Sequence, residues 1–529
     1  MTVRKKKIFK IMLVIALICA PFLGYLLWPI RTERTGSIQG DPALKPGKRS
    51  YLAETKANPA EPHPNVIVLL ADDLGKYDIS LYDEKGPPTP NIDALAHSGV
   101  TFTNAYCTSP ICAPSRAGLL TGRYQHRFGH EFQCSGPYPI NRFEILLGRA
   151  FSSNWQLAWP KPYPDKQGVR ESEITFGDVA KTQGYATAII GKWHDETPPM
   201  PKGFDYFYGF FGGINLFDSL DNPDIVYHHH MNLVDIAVRV GHRKDRMPGI
   251  WRNSEFFREK GYLTERFAEE SCAFIEKNKD KPFCLYTSFN AVHEPFQVPR
   301  RYYERFKHVQ DTNKRTYYAM ISALDDAVGA IVQKVRDEGL EEKTLFFFTS
   351  DNGGATYTNA TTNAPLKGGK LNQFEGGINM PFLMSWKGKL PPNTVYRHLT
   401  STLDILPTIA ANIHAPLPQD RPYDGVDLVQ KVLKQEPAHD ALFWRQGSAK
   451  AVRQGDWKLV ISERTGKTWL YDLSTDISEK KDLSQKNPQK VAELQAALRE
   501  WEKDFPPQLW PSFTYNQERF GDDLYIFDM

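Results

Sequence analysis

The chain has 529 residues, a formal net charge of +3 and a hydrophobic fraction of 41%. That length exceeds one ordinary domain and suits a large domain joined to a smaller one. The near balance of charge excludes the broad basic surface of a nucleic-acid-binding protein, and ample apolar content without low-complexity tracts places the chain among globular proteins.

Arg4, Lys5, Lys6, Lys7 and Lys10 precede an uncharged run from Ile11 to Trp28. The run is longer than the apolar core of a usual signal peptide and close to the length of a spanning helix. The basic cluster is expected to stay in the cytosol, which exports everything after Trp28. No small-residue cleavage site follows. Residues 1–30 are therefore read as a membrane anchor in preference to a cleaved signal, which would leave the protein periplasmic or secreted. Ile18 is too bulky to precede a lipidated Cys19. Residues 31–64 are polar, with scattered Gly, Pro and Lys, and read as a linker.

From Asn65 onward, short apolar runs rich in β-formers end abruptly in polar residues. Val66 to Leu70 leads into Asp72 and Asp73, and Ala186 to Ile190 into Lys192 and His194. Phe283 to Phe289 leads into His293, and Leu345 to Phe348 into Asp351 and Asn352. Continuous apolar runs of this length suit strands buried on both faces of a parallel sheet. Tyr262 to Asn278 and Tyr317 to Glu338 carry apolar residues at helical spacing. Alternating strands and helices predict an open α/β sheet over residues 65–415, with ligands bound beyond the carboxyl ends of the strands. The four polar clusters all fall at such ends.

After about Pro416 the pattern changes. Ala441–Trp444, Ala449–Arg453, Trp457–Ile461 and Thr468–Tyr471 read as short antiparallel strands separated by turns such as Gly455-Asp456. A helix is predicted next, with Asn487 as N-cap, Pro488 at its first position and an apolar stripe of Val491, Leu494, Leu498 and Trp501. Residues 416–529 are thus expected to form a smaller α+β subdomain. Cys107, Cys134, Cys272 and Cys284 allow three disulfide connectivities, or none if they are buried free thiols.

Asp72, Asp73, Asp351 and Asn352 supply an all-oxygen donor set suited to Ca2+ or Mg2+. Gly191-Lys192-Trp193-His194, Ala291-Val292-His293-Glu294-Pro295 and Gly368-Gly369-Lys370 with Glu375-Gly376-Gly377 add cations at other strand ends and loops. The decisive segment is Cys112-Ala113-Pro114-Ser115-Arg116-Ala117-Gly118-Leu119-Leu120-Thr121-Gly122-Arg123. It resembles the signature of the formylglycine-dependent sulfatases, in which the Cys of Cys-x-Pro-x-Arg is oxidised to an aldehyde, 3-oxoalanine (formylglycine). The resemblance covers Asn65 through the carboxyl-terminal subdomain, including Ala451-Val452-Arg453-Gln454-Gly455-Asp456-Trp457-Lys458.

This resemblance implies an alkaline phosphatase-like fold, a mostly parallel mixed sheet sandwiched by helices, with the smaller antiparallel sheet and helix appended. It implies hydrolysis of O-sulfate esters on a carbohydrate, a formylglycine-generating maturation enzyme as partner, and one Ca2+ ion, or Mg2+ in its place. Asp72, Asp73, Asp351, Asn352 and modified Cys112 would be its ligands. Arg116 would steady the nucleophile and the ligands, and Lys192 and Lys370 would bind sulfate oxygens. His293, with Lys370, would protonate the leaving alcohol, and His194 would act as base when the aldehyde is regenerated. The rival on the same fold is a phosphate or phosphonate ester hydrolase. Two-metal phosphatases of that superfamily have His where Asn352 stands and Ser or Thr as nucleophile. A silent glycan-binding protein would have lost some of these residues. The run His228-His229-His230 is read as a polar loop, Tyr124–Gln133 as pocket wall or surface crossing, and Phe204–Phe211 as core.

Overall fold

Residues 43–55, 63–134, 155–157, 167–228, 246–512 and 514–528 are described from a computed structural model. The run Asn65–Ala71 forms β1, and every residue in it is buried. A strand with no solvent face needs cover on both sides, and β1 lies inside a ten-stranded sheet. The other strands are β2 (Val100–Phe102), β3 (Ala186–Lys192), β4 (Tyr206–Phe210), β5 (Gly249–Arg252), β6 (Glu255–Arg258), β7 (Phe283–Ser288), β8 (Thr344–Ser350), β9 (Phe382–Ser385) and β10 (Thr394–Tyr396). Their spatial order is β10–β2–β9–β8–β1–β7–β3–β4–β5–β6. The middle five, β8–β1–β7–β3–β4, are parallel, and antiparallel neighbours β9 and β5 flank them.

Side chains alternate across β1, so the sheet carries a core on each face. Ile67, Leu69 and Ala71 pack in one layer with the helices Leu263–Asn278 and Thr312–Asp337. Val66, Val68 and Leu70 pack in the other with Leu119 and Leu120 of the helix Cys112–Thr121 and with the helices Phe176–Thr182 and Ile405–Asn412. The helix predicted from Tyr317 begins earlier, at Thr312. Its polar first turn carries no apolar signal, yet Asp311 caps it by accepting from the amides of Asn313 and Lys314 at 2.9 and 3.0 Å.

The carboxyl-terminal strands are β11 (Ala441–Gln446), β12 (Ala449–Gln454), β13 (Trp457–Ser462) and β14 (Lys467–Asp472), an antiparallel meander in chain order. One face packs Leu494 and Leu498 of the helix Pro488–Glu502 against Val452, Leu459 and Leu470, with Val491 and Trp501 at the rim. The other face packs Trp444, Ala451, Val460 and Trp469 on Tyr106, Ile111 and Phe374 of the larger unit. Asn487 holds the N-cap position and Pro488 opens the helix, as predicted, but the Asn487 side-chain amide turns back to donate to the Leu483 carbonyl at 3.2 Å and makes no capping hydrogen bond. A further three-stranded sheet, Trp155–Leu157 with Thr514–Phe520 and Asp523–Asp528, has no counterpart in the sequence reading.

Several expectations need correction. The stretch read as a linker contains an eleven-residue helix, Leu44–Glu54. Its Lys48 is buried and donates to the Glu173 carbonyl and to Asp178, each at 2.8 Å. One buried lysine and Tyr51 hold the helix down, so no apolar stripe betrays it. Tyr124–Gln133, read as pocket wall or surface crossing, does not run over the surface. His126, His130 and Glu131 are buried, and Glu131 pairs with Arg445 at 2.9 Å. The segment ties the main sheet region to β11. Phe204, Phe207, Tyr208 and Phe210 are core residues, as read. Cys107, Cys112, Cys134, Cys272 and Cys284 are all free thiols. His228 ends a short strand paired with Phe296, and His229 and His230 lie outside the described residues. So do Cys19 and the run read as an anchor; among the described residues no helix is long and apolar enough to cross a membrane.

Candidate active site

Parallel strands deliver their next residues to a common edge. Beyond β1 stand Asp72 and Asp73, beyond β3 Trp193 and His194, beyond β7 the loop to His293, and beyond β8 Asp351 and Asn352. Onto this edge points the amino end of the helix Cys112–Thr121. Cys112 is its first residue, and all ten of its residues are buried. Gly122 ends it with φ +63°, a left-handed conformation that glycine adopts without cost. The helix dipole therefore places its positive end at Cys112, which favours anions there.

The Cys112 Sγ lies 3.7 Å from Asp72 Oδ1 and 3.9 Å from Asp73 Oδ1. Asp72, Asp73, Cys112 and His293 each offer a donor atom within 4.8 Å of the others, all buried. Burial, then the nearby Asp351, pushes the Cys112 thiol up. Burial opposes the charge of Asp72, but Lys192, His293 and Arg116 outweigh it and hold its carboxyl below the usual range. Asp73 is held down in the same way by Lys370 and His293.

Three cations, Lys192, Lys370 and Arg116, organise the floor through four ion pairs. Lys192 Nζ is 2.6 Å from Asp72 Oδ2, and Lys370 Nζ is 2.7 Å from Asp73 Oδ2. Arg116 Nη2 and Nε lie 2.7 and 2.8 Å from Asp351 Oδ2, and Nη2 is 3.3 Å from Asp72 Oδ1. The remaining Asp351 oxygen accepts from the Asp73 amide at 3.2 Å. Asn352 donates from Nδ2 to Asp73 Oδ1 at 2.8 Å, while its buried Oδ1 has no hydrogen-bond partner. An unpaired buried carbonyl oxygen beside three carboxylates is what a hard cation would satisfy, so this donor set fits Ca2+ or Mg2+.

His293 Nδ1 sits 2.6 Å from the Glu294 carbonyl. A carbonyl only accepts, so Nδ1 carries a hydrogen, and Nε2 faces Asp73 Oδ2, 3.6 Å away. Burial, then Lys370, lowers the His293 pKa. Burial, then Lys192 and Arg116, drives His194 far below its ordinary value. Asp73 and His194 have φ of +61° and +56°, left-handed values that non-glycine residues adopt at a cost and that cluster at functional sites. His194 packs so close to Gly213 that a Cβ there would stand 2.6 Å from Nε2.

Nine of the ten residues singled out in the sequence thus meet in one buried cluster, and the tenth, His194, is buried beside Gly213 two positions after Lys192. The reading missed their supports. Ser288 Oγ accepts from Arg116 at 2.5 Å and donates to the Lys192 carbonyl at 2.7 Å, and Ser115 Oγ donates to the Asp351 carbonyl at 2.5 Å. Ser115 lies inside the Cys112 signature, and Ser288 sits at a strand end, the one signal it offers. Asn290 is buried with neither amide atom partnered, and nothing in its sequence context marks it.

An ion-paired carboxylate cluster at the carboxyl edge of a parallel sheet, beside a cysteine at a helix amino end, is a site that could hold a metal ion and an anion together. The Sulfatase family profile matches residues 64–414, about two thirds of the chain, and the chain belongs to that family: it is a sulfuric ester hydrolase. It is 30% identical over 409 residues to the N-acetylgalactosamine-6-sulfatase of Canis lupus familiaris, covering 75% of this chain and 71% of that one. It is also 30% identical to the human steryl-sulfatase over 457 residues, 74% of each chain. Among solved structures it resembles Ps i-CgsB in complex with k-i-k-neocarrahexaose, with a TM-score of 0.71 and 28% identity over 85% of this chain and 94% of that one.

Proposed function

We propose that this sulfatase hydrolyses O-sulfate esters of a carbohydrate, using a formylglycine made from Cys112 and one divalent ion, Ca2+ or Mg2+. The observation that carries the reading is the placement of Cys112, on a helix amino end and within 4 Å of both Asp72 and Asp73. Carbohydrate is favoured over sterol because the sugar-complexed Ps i-CgsB matches this chain over 85% of its length.

A hydrated aldehyde at this position supplies one hydroxyl to attack sulfur and a second whose deprotonation expels sulfate by C–O cleavage. The ion, when bound, polarises a sulfate oxygen and lowers the pKa of the attacking hydroxyl. Asp72, Asp73, Asp351 and Asn352 would hold it, together with the modified residue 112. Arg116 keeps Asp351 and Asp72 in place from below. The ammonium groups of Lys192 and Lys370, which stand beside Asp72 and Asp73, would face the sulfate oxygens, where negative charge builds. His293, with Lys370, gives the leaving alcohol its proton, and His194 takes the proton that frees sulfate. A maturation enzyme that reads Cys112-Ala113-Pro114-Ser115-Arg116 before folding completes the scheme, because the folded chain buries that segment. The basic cluster before Ile11–Trp28 supports export of the catalytic domain, with residues 1–30 as its anchor.

The test is turnover of matched sulfate and phosphate esters, with and without chelator. Chelator-sensitive desulfation that exceeds dephosphorylation is expected, extending to sulfated oligosaccharides. Preferred cleavage of phosphate or phosphonate esters would overturn the reading.

A further inference from the structure

Two cations of the carboxyl-terminal sheet, Lys458 and Arg453, reach Glu375 of the larger unit. Lys458 on β13 pairs in register with Arg453 on β12, and both belong to the segment Ala451–Lys458. Lys458 is fully buried. Its Nζ lies 2.8 Å from Glu375 Oε1 and 2.9 Å from Glu479 Oε1, both carboxylates also fully buried. The second Glu375 oxygen accepts from Tyr106 and from Asn379, each at 2.8 Å. An apolar residue of this size would fill the space at less desolvation cost. What the ammonium adds is direction: it fixes where Glu375 stands.

Glu375 opens the short helix Glu375–Ile378, whose backbone interlocks with both site loops. The Gly353 amide donates to the Gly377 carbonyl at 3.0 Å, and the Gly376 amide donates to the Lys367 carbonyl at 2.8 Å. The Lys370 amide donates to the Gly354 carbonyl at 3.0 Å. The contacts are too tight for any side chain. A Cβ on Gly353 would meet the Gly376 carbonyl oxygen at 1.8 Å, and one on Gly377 would meet that of Gly369 at 2.4 Å. Asn352 precedes Gly353 and Lys370 follows Gly369, so the helix of Glu375 sets the position of both.

We propose that Lys458 is a positioning residue for hydrolysis: through Glu375 it locks the Gly353 and Gly369 backbones and thereby aims Asn352 and Lys370. The inference rests on the site roles given above for those two residues. The test is a double-mutant cycle on full-length, matured protein with 4-nitrophenyl sulfate as probe. Wild type, Lys458→Met, Lys370→Ala and the double variant are compared per molecule that is folded and carries the aldehyde. Lys458→Met is expected to lower kcat/KM roughly 10- to 100-fold in the wild-type background, the scale of a small misplacement of reacting groups. In the Lys370→Ala background it is expected to cost less than about threefold, because the target of the positioning is gone. Lys458→Arg should recover part of the loss. If Lys458→Met does not accumulate folded, Glu375→Gln, which keeps the side-chain volume, carries the same cycle. Wild-type turnover in Lys458→Met, or equal losses in both backgrounds with an impaired Lys370→Ala, overturns the proposal alone. Unaltered turnover of Lys370→Ala overturns the site reading and the proposal together.

Discussion

At the scale of single residues, Asp351 carries several contacts at once. It pairs with Arg116, accepts the Asp73 amide and stands beside Asn352. Asp351→Ala should remove the bound ion and nearly all turnover. It also leaves the buried Arg116 guanidinium with Asp72 as its one remaining carboxylate partner, so its unfolding temperature should fall as well. Elemental analysis of the purified variant beside a melting curve checks both, and stoichiometric metal in a stable Asp351→Ala protein would contradict the assignment. Cys112→Ser separates the two halves of the reaction. One hydroxyl remains for sulfate transfer, and the second, needed for release, is missing. Intact-mass measurement should find a covalently sulfated, stalled protein when the host leaves that serine unoxidised. Sustained turnover by that protein would refute the two-hydroxyl scheme.

At the scale of elements, the junction before the helix Ile405–Asn412 gives a pH-dependent prediction. His439 Nε2 lies 2.8 Å from Asp404 Oδ1, and Asp404 also accepts from the amides of Ser401 and Val426. Burial opposes the His439 charge, but Asp404 outweighs it and raises the pKa above its usual value. A histidine raised on folding contributes stability fully below its unfolded pKa, about 6.5, and loses it as pH rises through the folded value. The melting-temperature gap between wild type and His439→Gln should therefore be widest near pH 6 and narrower near pH 9; a constant gap would contradict this. The elements legible in the sequence were those whose burial leaves a continuous apolar trace. β1, β3, β7 and β8 were placed within two residues because both faces are covered. The helix Leu44–Glu54 was not legible, since it is held by Lys48 and not by an apolar stripe. The site residues were legible because each stands at a strand end or in a compact motif. The Glu375–Lys458 pair was not, because its members are far apart in sequence and meet only in the fold.

At the scale of the whole molecule, distant segments hold one another through buried polar contacts. Lys48 pairs with Asp178, and Arg421 donates to the Leu44 carbonyl at 3.2 Å. A chain beginning at residue 43 should therefore be more stable than one beginning at Asn65, by about 3 kcal/mol, the scale of a broken buried ion pair. Turnover per folded, matured molecule should be the same in both, since these contacts touch no site residue. Chemical denaturation of the two chains checks the first claim and steady-state kinetics the second; equal stability would mean that the Leu44–Glu54 helix is not anchored as described.

The central claim is that the working enzyme carries no thiol at position 112. The most direct measurement is the mass of the tryptic peptide ending at Arg116, taken from a preparation whose desulfation rate has been measured. The account predicts the mass of an aldehyde or its hydrate, reactivity of that peptide toward hydrazides, and a rate proportional to the fraction converted. Full multiple-turnover activity from protein in which that peptide retains an unmodified Cys112 would contradict it.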